Sequence, residues 1–200
     1  MVLATGRVDR RGDLLAAAGG LLYGVGLLLS YGLVLAGLVP LGVAWRRRSV
    51  RPLVIAAIGA TVAPILFWLF GFSWFDGLAA TGEQYDASVA STRPYRFFFV
   101  SNLAALAVVI GPAVTVGLFA LRDRAMWLLV GGALAAVAVA NLSGMSKGEV
   151  ERIWLPFAVW LLPAGAAAGR ARWALRAAWP WLLAQVGVAL AVESLLHTRW

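Results

Sequence analysis

Four charges fall within six positions in the stretch Asn141–Trp160, NLSGMSKGEVERIWLPFAVW: Lys147, Glu149, Glu151 and Arg152. Small residues precede them and a Trp-containing apolar run follows at once. Two chemistries suit this pattern. In the first, Ser146-Lys147-Gly148-Glu149 is a capping box, Ser-x-x-Glu: Ser146 caps a helix and Glu149 reaches back to the cap amide. Glu149 and Glu151 then lie in the first turn, where the helix dipole favours negative charge. Lys147 and Glu151, four apart, can pair. In the second, the same helix start is an anion site, to which Lys147 and Arg152 add full charges. An arginine can grip a phosphate through two parallel hydrogen bonds, and Glu149 or Glu151 can hold a sugar hydroxyl or orient Arg152. A lipid-linked phosphate suits this position, with its tail in the bilayer and its head group outside.

A second polar stretch runs from Phe75 to Tyr95, FDGLAATGEQYDASVASTRPY. Asp76, Glu83, Gln84, Tyr85, Asp86, Arg93 and Tyr95 make a carbohydrate-compatible set: rings stack on sugar faces, and carboxylates and amides take hydroxyls. Tyr85 is the candidate sugar contact. Asp76 is the candidate catalytic base, which requires hydrogen-bond reach to an acceptor hydroxyl. A solvated loop with a partial helix accounts for the same residues without a ligand.

The elements that must position these residues are membrane helices. The chain has 200 residues, of which 62% are apolar and only 13% charged, with a mean hydropathy of +0.85. Soluble domains carry about 25% charged residues. Cysteine is absent, which excludes disulfides and thiolate metal sites. The single His197 excludes a histidine-rich metal centre. No metal site or cofactor is expected. The net charge of +8 comes from arginines clustered between apolar segments, a mark of membrane topology rather than of a nucleic-acid partner. No signal-peptide pattern precedes Leu14.

A spanning helix needs roughly 20 apolar residues. The expected fold is therefore an all-α polytopic membrane protein forming one integral domain over residues 1–200. It has five transmembrane helices, at about 52–74, 97–121, 125–142, 152–168 and 177–196, plus an N-terminal helical hairpin at 14–44. The intervening polar loops are 75–96 and 143–151. Arg7, Arg10, Arg11, the run Arg46–Arg48 with Arg51, the pair Arg122 and Arg124, and Arg170, Arg172 and Arg176 hold twelve of the seventeen basic residues. The positive-inside rule puts these in the cytoplasm, and the acidic loops and the C-terminus outside the plasma membrane. Residues 14–44 would extend about 46 Å as one helix, too long for one upright span, and Ser30-Tyr31-Gly32 interrupts them. Both flanks are basic, so two short half-helices that enter and leave on the cytoplasmic side are expected. One true span with an external N-terminus is the alternative. Ser30, Tyr31 and Asn102 are read as packing residues, and Pro64, Pro112, Pro156 and Pro163 as helix kinks. Tryptophans near the segment ends, Trp154 among them, fit an interfacial belt.

The stretch LSGMSKGEVERIWLPFAVWLLPA resembles the late outward loop and following helix of actinobacterial membrane glycosyltransferases of the C-type superfamily, the methylthioxylose transferase group in particular. GDLLAAAGGLLYGVGLLLSYGLVLAGLVPLGVAWRRR is similar to a hairpin in the middle of those enzymes. PYRFFFVSNLAALAVVIGP and LLAQVGVALAVESLLHTRW resemble other parts of them. The resemblance covers nearly all of this chain but only the C-terminal half of such an enzyme. It implies transfer of a sugar, a pentose in the named group, from a polyprenyl-phosphate donor to a cell-envelope glycan at the outer face, with membrane lipid around it. Lys147, Glu149, Glu151 and Arg152 carry over as donor phosphate and sugar contacts. The family's catalytic aspartate, in an early outward loop, has no counterpart here, so the chain is expected to correspond to an N-terminally shortened copy. A small transporter or lipid-binding protein, and a scaffold subunit without chemistry, remain the alternative classes.

Overall fold

The computed structural model describes residues 10–170 and 179–195. Among them the chain is all-helical, with no strand. Among the described residues, four helices are long and apolar enough to cross a membrane: α1 (Arg10–Leu29), α3 (Arg51–Leu69), α6 (Tyr95–Ala120) and α7 (Arg124–Leu142). Shorter helices are α2 (Leu38–Arg47), α4 (Trp74–Asp86), α5 (Val89–Thr92), α8 (Val150–Ile153), α9 (Leu155–Ala158) and α10 (Trp179–Leu195), with 3-10 turns at Tyr31–Gly37 and Leu162–Arg170. The chain divides into two compact units, Met1–Arg93 and Pro94–Trp200.

In the first unit, α1 ends where Ser30 adopts an extended conformation. The chain then folds back. Tyr23 Oη donates to the carbonyls of Leu33 and Val34, at 2.8 and 3.1 Å. Residues 14–44 are thus neither one helix nor two half-helices. The first arm is a complete 20-residue helix, about 30 Å long. The return through α2 brings Arg51 to Asp13, where they form a salt bridge at 2.8 Å. That pair ties both basic flanks to one end of the unit. From there α3 runs parallel to α1 along a seam of small residues. A Cβ on Gly20 would sit 2.0 Å from the Ala56 carbonyl oxygen, one on Gly24 2.3 Å from that of Ala60, and one on Gly59 2.6 Å from that of Ala17. Backbones this close are the small-residue packing that joins helices in lipid, where no hydrophobic drive separates apolar helix from apolar tail.

Residues 75–96 are mainly helix. Ser73 caps α4, its hydroxyl accepting from the Asp76 amide at 3.3 Å, and Ser88 caps α5.

In the second unit, α6 breaks at Gly111, whose backbone is left-handed and extended (φ 75°, ψ 174°). Pro112, which lacks an amide hydrogen, follows it. Asp123 caps α7, accepting from the amides of Ala125 and Met126 at 2.7 and 3.0 Å. The Met126 and Ala125 amides, with Arg170, hold its carboxyl below the usual carboxylate range. That stabilisation is present above the ordinary carboxylate pKa and fades as acid protonates the group.

The expected single span over 152–168 is instead α8, α9 and the 3-10 stretch Leu162–Arg170. Pro156 and Pro163 interrupt regular helix there, each lacking a donor and crowding the preceding turn. The stretch still packs tightly. A Cβ on Gly117 of α6 would lie 2.0 Å from the Ala164 carbonyl oxygen. Trp154 is completely buried here, so it does not belong to an interfacial belt. Trp173, Trp200 and His197 lie outside the described residues.

Candidate functional site

The charged turn between α7 and α8 sits on a buried polar knot. Asn102 of α6 and Asn141 of α7 are both almost fully buried. Asn102 Nδ2 donates to Asn141 Oδ1 at 3.0 Å and to the Ser146 carbonyl at 2.5 Å. Asn141 Nδ2 donates to the Phe99 carbonyl at 2.9 Å. Tyr95 Oη donates to the carbonyls of Asn141 and Leu142, which end α7. A buried amide must find partners, and these two find them in each other and in the loop. The loop is therefore pinned to the ends of α6 and α7.

This pinning overturns the capping box. Ser146 is buried, and its carbonyl is taken by Asn102. Gly144 (φ 70°) and Gly148 (φ 100°) turn the chain in left-handed conformations. Helix α8 starts only at Val150. Glu149 stands in its cap position without a side-chain cap bond. Lys147 and Glu151 are thus not on one helix, and i,i+4 pairing does not apply to them. Arg152 Nη2 pairs with Glu149 Oε2. Glu149 is itself left-handed at φ 57°, a conformation that costs a non-glycine residue roughly 1–2 kcal/mol. Strain of this kind persists only where the surroundings enforce it.

Both partners of the Glu149–Arg152 pair are more than half exposed, at 57% and 55%. Exposed pairs contribute about 0–1 kcal/mol. A phosphate offering a bidentate, charge-assisted contact can compete with Glu149 for the guanidinium. Glu151 and Lys147 are half-buried on the same turn. With α8 a single turn of helix, any anion binding here must come from these side chains and not from a helix dipole.

Asp76 and Tyr85 belong to the first unit, on α4. They are nine positions apart, which is about 14 Å along the axis and close to opposite faces of the helix. They do not converge on one small ligand. Asp76 also has a local reason to be acidic, since it lies in the first turn of α4, where negative charge is favoured.

The knot itself is legible only in part from sequence. Asn102 stands out as a polar residue inside an apolar run, but Asn141 sits at the end of its expected span, where a polar residue draws no notice. Gln185 of α10 is a further polar residue that composition does not flag; it bridges the break in α6. Its Nε2 donates to the Ile110 carbonyl at 2.8 Å, and its Oε1 accepts from the Ala113 amide at 3.3 Å. No family model, curated protein or solved structure matches the chain.

Proposed function

We propose that the chain is the C-terminal membrane part of a glycosyltransferase that moves a sugar, of the pentose class, from a polyprenyl-phosphate donor to a cell-envelope glycan at the outer face of the plasma membrane. The observation that carries this reading is the charged turn 147–152, pinned by buried Asn102 and Asn141 at the ends of two long apolar helices. A polyprenyl tail would lie along such helices while its phosphate met the turn. Arg152 and Lys147 would neutralise the phosphate. Glu149, which already holds Arg152, would set the guanidinium's orientation, and Glu151 would take a sugar hydroxyl. In the reaction the bond from the anomeric carbon to the phosphate oxygen breaks, the acceptor hydroxyl oxygen bonds to that carbon, and its proton passes to the departing polyprenyl phosphate.

The arginine clusters supply the sidedness. With Arg122 and Arg124 at the junction of α6 and α7 taken as cytoplasmic, the far end of α7 and its charged turn would lie at the outer face. The segment 150–170 and α10 complete the crossings. A transporter reading draws on one specific feature, the break in α6 at Gly111, because discontinuous helices build the mid-membrane sites of many carriers. The near absence of charge inside the long helices favours the transferase.

In lipid nanodiscs, Arg152→Ala is expected to weaken binding of polyprenyl-phosphate pentose at least tenfold, about 1.4 kcal/mol. Glu149→Gln, which keeps a side-chain oxygen to orient Arg152 but removes the carboxylate charge that competes with the phosphate, is expected to leave binding intact or tighten it. An Arg152→Ala affinity equal to that of the wild type counts against the site.

A further inference from the structure

We propose that α6 is a two-position helix and that the Gln185 side-chain amide is the latch that holds it in the broken position. The inference is independent of any donor site. At Gly111 the helix cannot continue its hydrogen bonding, and Gln185 takes the Ile110 carbonyl with its Nε2 and the Ala113 amide with its Oε1. One side chain of α10 thus satisfies both lips of the break. An added Cβ on Gly111 would lie 2.1 Å from Gln185 Nε2, so the latch closes only over glycine.

Three features make the second position accessible. Glycine pays no steric penalty at φ 75° or in a regular helix, so Gly111 can serve both. Pro112 has no amide hydrogen, so a straight α6 would forgo one hydrogen bond there and gains only part of what a continuous helix normally would. Releasing Gln185 exchanges two side-chain bonds for backbone bonds, a small difference of the kind on which two-state elements turn. The two halves of α6 also hold different things. The first half carries Asn102, which grips Ser146; the second carries Gly117, packed on Ala164. A change of angle at Gly111 therefore moves the charged turn relative to the 162–170 segment.

The native chain has no cysteine, so a Val100→Cys/Phe119→Cys background takes two spin labels on exposed positions flanking the break. Distances are measured by pulsed electron resonance on the full chain in nanodiscs. In this background the parent is expected to show one dominant distance. Gln185→Met, which keeps the length and removes the amide, is expected to raise a second distance at least tenfold in population. Gly111→Ala, which cannot hold the left-handed conformation, is expected to populate that same second distance. Convergence of two unrelated substitutions on one new distance is what a latch produces and a merely space-filling glutamine does not. The proposal is overturned if both variants superimpose on the parent, or if each gives only its own broadened distribution. Failure of Gln185→Met to fold is scored the same way, because it would make the amide a structural requirement of a single state.

Discussion

Gly20→Leu is expected to separate α1 from α3 and to lower the melting temperature of the purified protein by roughly 10 °C. The cause is distance. The first added carbon would already lie 2.0 Å from the Ala56 carbonyl oxygen, and that obstacle is backbone, which cannot rotate away. Overpacking of a well-filled interface typically costs about 1–3 kcal/mol, and a backbone clash belongs at the upper end. For a chain of this size each kcal/mol corresponds to about 2–4 °C. Gly19, the adjacent residue, supplies the control, since a Cβ there meets nothing within 4 Å. Gly19→Leu is expected to melt within a degree or two of the wild type. Equal melting of the two variants would mean that the seam does not hold the helices together.

Asn102→Leu is expected to destabilise the second unit by about 2–3 kcal/mol and to speed amide exchange across residues 143–149. Leucine fills similar volume, so the effect is one of hydrogen bonding. It leaves the Asn141 side-chain oxygen and the Ser146 carbonyl without the donor they now share. A buried acceptor left unpaired costs about 1–3 kcal/mol. Hydrogen bonds between membrane helices average only about 0.6 kcal/mol, but that figure describes sites where the abandoned partner finds a substitute. Among the described residues this knot is closed on three sides by α6, α7 and the loop. The double variant Asn102→Leu/Asn141→Leu should cost less than the sum of the singles, because removing both amides leaves one fewer orphan. Additive losses would show that the two asparagines act separately. Measurement is by thermal melting together with hydrogen exchange read by mass spectrometry.

Much of the architecture was legible in the sequence because membrane helices leave a strong signal. Unbroken apolar runs marked α3, α6 and α7, and Ser30 marked the end of α1. Pro112 marked the break in α6, although the residue that bends is Gly111. What failed did so for tertiary reasons. Ser146-Lys147-Gly148-Glu149 has the spacing of a capping box, yet the buried Asn102 amide claims the Ser146 carbonyl and two left-handed glycines delay the helix to Val150. Local propensity could not foresee a partner 44 residues away. The stretch 152–168 is apolar enough to span, but hydropathy does not register what Pro156 and Pro163 do to helix geometry. Trp154 was placed by its nearness to a segment end, whereas the structure buries it completely. The small-residue seam was present in plain view as Gly20-x-x-x-Gly24, and reading that spacing as a packing motif would have paired α1 with another helix.

The candidate site shows the same division. The charges at 147–152 are conspicuous because charge is rare in this chain. Their support is not, because Asn102 and Asn141 are far apart in sequence and each looks ordinary alone. The Glu149–Arg152 pair is a consequence of the turn rather than of helical spacing.

The most direct test of a donor site at this turn is photocrosslinking. A polyprenyl-phosphate pentose carrying a photoreactive group on its first isoprene unit would be irradiated with the full chain in nanodiscs, and the labelled peptides identified by mass spectrometry. Labelling concentrated in residues 141–160, and competed away by unlabelled donor, is the expected result. Labelling spread evenly over the lipid-facing helices, or unaffected by excess donor, would contradict a donor site there.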